Sequence, residues 1–167
     1  AVHCVRLGSS FSVVFLCVPL SSDVYHSDYC RTIMAGGPRC EEQKKVYTAV
    51  YDATMAALEA VKPGRPTTDI DTASRNVLRA AGYEKYWYFG VTGHATGTCL
   101  QEAPIIGEAS AKGEKSWIIQ PGMVFCIEPS VHLPGVGGVR IEDMVAVTED
   151  GFELLTHTEY EKHLLVR

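Results

Sequence analysis

Apolar positions change their spacing twice along this chain. Residues 11–20 form an apolar run of ten broken by Ser12. A membrane-spanning helix needs about 20 such residues, so the run predicts a buried strand over residues 11–17. Residues 24–34 are more mixed, carrying Tyr25, His26, Asp28, Tyr29, Cys30 and Arg31, and Ala35-Gly36-Gly37-Pro38 breaks them off. Helical periodicity then sets in. Val46, Val50, Ala53, Ala57 and Val61 recur every three or four positions and predict a helix over 41–61, closed by Lys62-Pro63-Gly64. Ile70, Ala73, Val77 and Ala80 predict a second over 69–81, with a capping-box-like start at Thr68 and Asp71 and Gly82 as its C′ residue. From Tyr83 onward the pattern is short strands and turns. Strands are expected at 86–89, 123–127, 136–141, 144–148 and 153–155, punctuated by Pro129, Pro134-Gly135 and Glu149-Asp150-Gly151. Two helices enclosed by many strands define an α+β class.

Composition narrows the function classes. The chain has 167 residues, 46% of them hydrophobic and 21% charged, with a net charge of −5. That is globular composition for a single domain over 1–167. The mild acidity and the lack of a basic stripe argue against nucleic acid. No membrane segment and no signal-peptide pattern is read, so a cytoplasmic protein is expected. Six cysteines at 4, 17, 30, 40, 99 and 126 contain no C-x-x-C pair. Zinc-ribbon and thioredoxin-type readings therefore lack support, and reduced, mostly buried thiols are expected, Cys99 and Cys126 among them as small hydrophobes.

Four residues stand in chemically unusual settings: Asp28 in Tyr25-His26-Ser27-Asp28, His94 in Gly93-His94-Ala95-Thr96-Gly97, Glu128 between an apolar strand and Pro129, and Glu142 after Val139-Arg140-Ile141. A carboxylate closing a strand of apolar residues is costly unless it is paired or binds a metal. A second carboxylate after a glycine-rich hairpin is placed to face it across a sheet. Two glutamates, an aspartate and a histidine form a hard, oxygen-rich donor set suited to Mn, Fe, Co or Zn. Four independent strand-end charges are the competing reading.

Taken in order, these motifs resemble peptidase family M24, which holds Xaa-Pro dipeptidase, aminopeptidase P, methionine aminopeptidase and creatinase. The resemblance rests on Gly93–Gly97, on Pro121-Gly122-Met123-Val124-Phe125-Cys126-Ile127-Glu128-Pro129 and on Gly137-Gly138-Val139-Arg140-Ile141-Glu142-Asp143, with Tyr25–Asp28 and Glu41-Glu42-Gln43 matching as well. It runs from about Phe11 to the C-terminus and is nearest the prolidase branch. It implies the pita-bread fold: a curved antiparallel sheet with helices on its convex face and a divalent metal site, of one or two ions, on the other. Carried over by motif, Asp28, His94, Glu128 and Glu142 would be metal ligands, Glu128 also the general base and Arg140 its supporting partner. His3 matches the family's upstream substrate-facing histidine. The first half of the family fold is expected to be missing, and its exposed edge implies a homodimer.

Departures accompany the resemblance. Cys17 stands where the family has another metal-binding aspartate, Gln101 where it has a second histidine, and Ala95 where it has a glycine. Gln101 can donate a hydrogen bond but cannot shuttle a proton. Two functions are therefore expected to compete: a metal-dependent hydrolase of short peptides or related small amides, of the Xaa-Pro type, and a catalytically impaired or metal-free pita-bread member, either a creatinase-like hydrolase or a binding module.

Overall fold

The computed structural model describes residues 2–4, 14–17, 20–87, 90–107 and 116–166, the first two segments as backbone. The chain order is β1 (Val2–Cys4), β2 (Val14–Cys17), β3 (Leu20–Ser22), β4 (Tyr25–Ser27), β5 (Cys30–Ile33), α1 (Glu41–Glu59), α2 (Thr68–Ala80), a 3-10 turn at Glu84–Tyr86, β6 (Val91–Ala95), β7 (Glu102–Gly107), β8 (Val124–Ile127), β9 (Ser130–Leu133), β10 (Gly137–Arg140), β11 (Asp143–Val147) and β12 (Phe152–Leu154). The main sheet has five antiparallel strands in the order β12-β11-β8-β6-β7. β1, β2 and β5 form a second, antiparallel sheet. β3–β4 and β9–β10 are hairpins.

Strand alternation sorts the main sheet into two faces. Phe125 and Ile127 of β8, with Val145 and Val147 of β11, are buried against Ala57, Leu58 and Val61 at the end of α1 and Ile70 of α2. The earlier half of α1 buries Val46, Tyr47, Val50 and Ala53 with Val131, Val139 and Ile141 of the β9–β10 region. Both helices thus cover one face. On the other face, His94 of β6, Cys126 of β8 and Met144 of β11 stand side by side in register. This is the α+β pita-bread arrangement, with helices on the convex side.

Close approach of β6 to β8 depends on one glycine. A Cβ at Gly93 would fall on the carbonyl oxygen of Cys126, so any side chain there pushes the two strands apart. A buried ion pair ties β5 to the start of β11. Arg31 Nη2 donates to Asp143 Oδ1 at 2.6 Å, and both side chains are almost completely enclosed. Arg31 also donates to the carbonyls of Cys30 (3.0 Å), Glu142 (2.6 Å) and Thr158 (2.9 Å). Thr156 Oγ1 and Tyr160 Oη donate to the Asp143 carboxylate at 2.6 and 3.0 Å. Main-chain hydrogen bonds between Cys30 and Glu142 complete the seam.

Several expectations are corrected. Tyr86 does not open a strand: Tyr86 N–H donates to Tyr83 O and Trp87 N–H to Glu84 O, winding a 3-10 turn, and the Trp87 ring lies against the Arg75 guanidinium. Trp87 makes a single bridge to Val131, and residues 88 and 89 lie outside the described residues. The capping box at Thr68 does not form, because Asp71 is engaged by Arg75 and by Thr92 Oγ1. Gly82 does close α2, with φ +80°. Cys40 and Cys99 are exposed, while Cys30 and Cys126 are buried. Among the described residues no helix is long and apolar enough to cross a membrane.

Removing one partner of a buried ion pair strands the other, at about 3–5 kcal/mol. Arg31→Met is therefore expected to destabilise the chain by that order in urea unfolding. The Arg31→Met/Asp143→Asn double variant should recover part of the loss. Additive single effects would show that the pair contributes nothing beyond its separate contacts.

Candidate metal centre

The carboxylates and the imidazole that stood out in the sequence come from different strands, and the sheet brings them to one place. His94 lies in mid-β6, directly opposite Cys126 of β8. Glu128 follows β8, where its N–H donates to Thr92 O at 2.7 Å. Glu142 lies just before β11, held through its main chain by Cys30 and Arg31. A ring nitrogen of His94, the Cys126 sulfur and a Glu142 carboxylate oxygen all lie within 4.8 Å of one another. The Glu128 carboxylate is flanked on both sides: Oε1 lies 3.4 Å from His94 Nε2 and Oε2 lies 3.3 Å from Arg140 Nη1.

Asp28 sits half-buried between β4 and β5. Its N–H donates to Met144 Sδ at 3.1 Å, and its carbonyl oxygen lies 4.0 Å from Cys126 Sγ. Its carboxylate is close enough to feel the charges of His94 and Arg140, yet burial outweighs both and raises its pKa. Glu128 behaves alike: burial raises its pKa, Arg140 and His94 oppose that, and Asp28 adds to it. The Cys126 thiol is pushed far up by burial and then by the charges of Glu142, Asp28 and Glu128. A pocket in which carboxylates raise one another and a thiol is short of positive charge.

His94 shows the same shortage from the other side. Its Nδ1 lies 3.0 Å from Ala95 O. A proton on Nδ1 satisfies that carbonyl and leaves Nε2 with its lone pair facing the carboxylates. Nε2 is buried and has no hydrogen-bond partner among the described residues. A histidine whose far nitrogen is fixed by a backbone carbonyl is oriented for a metal. These residues fit a divalent cation.

Gln101 is exposed in the turn before β7. The adjacent Glu102 accepts from Cys99 N–H (2.7 Å) and Thr98 Oγ1, which shapes that turn and lowers its pKa. His26 of β4 supports the centre indirectly, its N–H donating to Gly97 O at 2.8 Å. The side chains of His3 and Cys17 lie outside the described residues. Two features escaped the sequence reading. Cys126, taken for a filler, shares the parity of Glu128 along β8, and that parity was the available signal. The Arg31–Asp143 pair spans 112 positions and had none.

The comparisons with known proteins agree with this geometry. The model of metallopeptidase family M24 matches residues 11–149. The chain is 39% identical over 137 residues to a Xaa-Pro dipeptidase of Pyrococcus furiosus, covering 82% of this chain and 37% of that protein. It is 38% identical over 137 residues to a Xaa-Pro dipeptidase of Lactobacillus helveticus, covering 82% and 35%. Among solved structures it superposes on the prolidase of Pyrococcus horikoshii with a TM-score of 0.82 at 35% identity, covering 89% of this chain and 41% of that one. The chain therefore spans roughly two-fifths of the length of these relatives, and the match of the family model over residues 11–149 makes it a member of metallopeptidase family M24.

Proposed function

We propose that the chain carries the metal-holding part of a metal-dependent peptidase of the Xaa-Pro type, acting on short peptides. The observation that supports this most is the bare, buried Nε2 of His94 facing carboxylates across the sheet face that the helices leave open. His94, Glu128, Glu142 and Asp28 would hold a divalent ion, Mn, Co, Fe or Zn. Such an ion polarises a scissile carbonyl and brings the pKa of its water to about 7. Glu128, whose proton affinity burial raises, would serve as the general base toward water. Arg140 Nη1 lies 3.3 Å from Oε2 and would steady the carboxylate. Gln101 would donate a hydrogen bond to the substrate, and His3 would face it from β1.

A second reading, a catalytically impaired member, draws on Gln101: it is exposed, and an amide at that position moves no proton. With Cys17 in place of an aspartate, one ion is expected to be held well and a second weakly or not at all. The domain over residues 1–167, a cytoplasmic location and a homodimer belong to the same proposal. The exposed Leu20, Val24 and Tyr25 of the β3–β4 hairpin are a surface that a second copy would cover.

Four measurements test this. Metal analysis of the purified chain is expected to give one ion, rising toward two in Cys17→Asp. A ligand at 100 times its Kd should stabilise the fold by about 2.7 kcal/mol, a shift that His94→Ala abolishes. A metal-free chain with no thermal shift on adding Mn, Co or Zn would remove the metal centre. Xaa-Pro turnover is expected to be weak, on the order of 10²–10³ below a complete family enzyme, and partly restored by Cys17→Asp with Gln101→His. Vigorous cleavage by the unmodified chain would refute the impaired reading. Light scattering should show a dimer, and a well-behaved monomer would count against self-association through the hairpin.

A further inference from the structure

The donor set contains an atom that the hard, oxygen-rich reading leaves out. Cys126 is fully buried on the face of β8 opposite Phe125 and Ile127. Buried free cysteines usually act as small hydrophobes among apolar neighbours. Here both apolar neighbours on the strand turn to the helices. The sulfur meets instead a histidine opposite it in register and a glutamate, all three donors within 4.8 Å. A thiol that shares a 4.8 Å cluster with a glutamate oxygen and a ring nitrogen of a histidine is placed as a donor is placed, not as a filler is.

We propose that Cys126 is itself a ligand of the divalent ion, so that this centre takes a thiophilic cation of the zinc and cobalt kind in preference to manganese. The inference rests on reading the site as a metal centre and specifies its chemistry. Sulfur is a soft donor, imidazole suits zinc and cobalt, and carboxylate-and-water sites suit manganese. Zinc bonds run about 2.3 Å to sulfur and about 2.0–2.1 Å to nitrogen, so donors on one tetrahedral ion lie about 3.6 Å apart. The three donors, within 4.8 Å of one another, would draw together by about an ångström on binding. Binding exchanges the S–H bond for a sulfur–metal bond and releases one proton to solvent, as a coordinating thiol does. Met144 is no rival for the same ion, because its sulfur accepts the Asp28 N–H.

The test is spectroscopic and needs no turnover. The full chain is titrated with cobalt(II) under reducing conditions. A thiolate-to-cobalt charge-transfer band in the near ultraviolet is expected, retained in Cys17→Ser and lost in Cys126→Ser. In competition, the preference for zinc over manganese should fall in Cys126→Ser by at least the roughly 10–100-fold that loss of even an outer partner costs. X-ray absorption on the unmodified zinc-loaded chain should show a sulfur scatterer at about 2.3 Å. That measurement decides the matter even if Cys126→Ser fails to fold. Cobalt bound without a sulfur band, or a band that vanishes in Cys17→Ser while surviving Cys126→Ser, overturns the role of Cys126 and leaves the metal centre standing. No binding of any ion overturns the metal centre, and this inference with it.

Discussion

The buried Arg31–Asp143 pair is the constraint on which the centre depends. An arginine can be enclosed only if nearly every donor finds an acceptor, and Arg31 finds four: three carbonyls and a carboxylate. Two of those carbonyls, Cys30 O and Glu142 O, lie on the seam between β5 and the entry to β11. The neutralisation of Asp143 and the placing of Glu142 are thus one event. The chain segment after β12 joins in through Thr156, Thr158 and Tyr160, so the C-terminal stretch locks the seam from outside.

Against that well-compensated pair, the adjacent centre is conspicuously uncompensated. Asp28, Glu128 and Glu142 share it with one arginine and one histidine, and burial raises the proton affinity of Asp28 and Glu128. The two sites sit one residue apart along the chain, at 142 and 143. The fold spends its internal cation on the structural carboxylate and leaves the neighbouring one facing a pocket that lacks positive charge. Arg140 reaches Glu128 from the hairpin, and Thr32 holds the main chain of Arg140 through two 2.8 Å hydrogen bonds.

How much of this was legible in the sequence follows from the range of each interaction. α1 was readable because helical periodicity is local and its periodic positions are the buried ones. α2 was readable as a helix, but its buried face is Ile70, Ser74 and Leu78, while Ala73 and Val77 are half-buried and Ala80 is exposed, because packing against α1 and the sheet and not the apolar count sets which side turns inward. Glu128 and Glu142 were readable because a carboxylate ending an apolar strand is a local anomaly. The turn at Glu84–Tyr86 was not, because aromatic residues favour strands on average and the local Tyr83 and Glu84 carbonyls prevailed here. Cys126 was readable as a buried thiol, and it is one, but only the registry of β6 with β8 says beside what. Arg31 looked like any strand arginine until a partner far along the chain enclosed it.

Gly93 separates two kinds of change in this scaffold. The candidate donors are side chains, and exchanging one alters chemistry while the strands stay where they are. The spacing that gathers the donors is set by backbone, since even a methyl group at Gly93 collides with the Cys126 carbonyl. Donor chemistry and shape are consequently inherited through different positions. A lineage of such chains can exchange the side chains on the open sheet face while the strand spacing that Gly93 permits stays fixed.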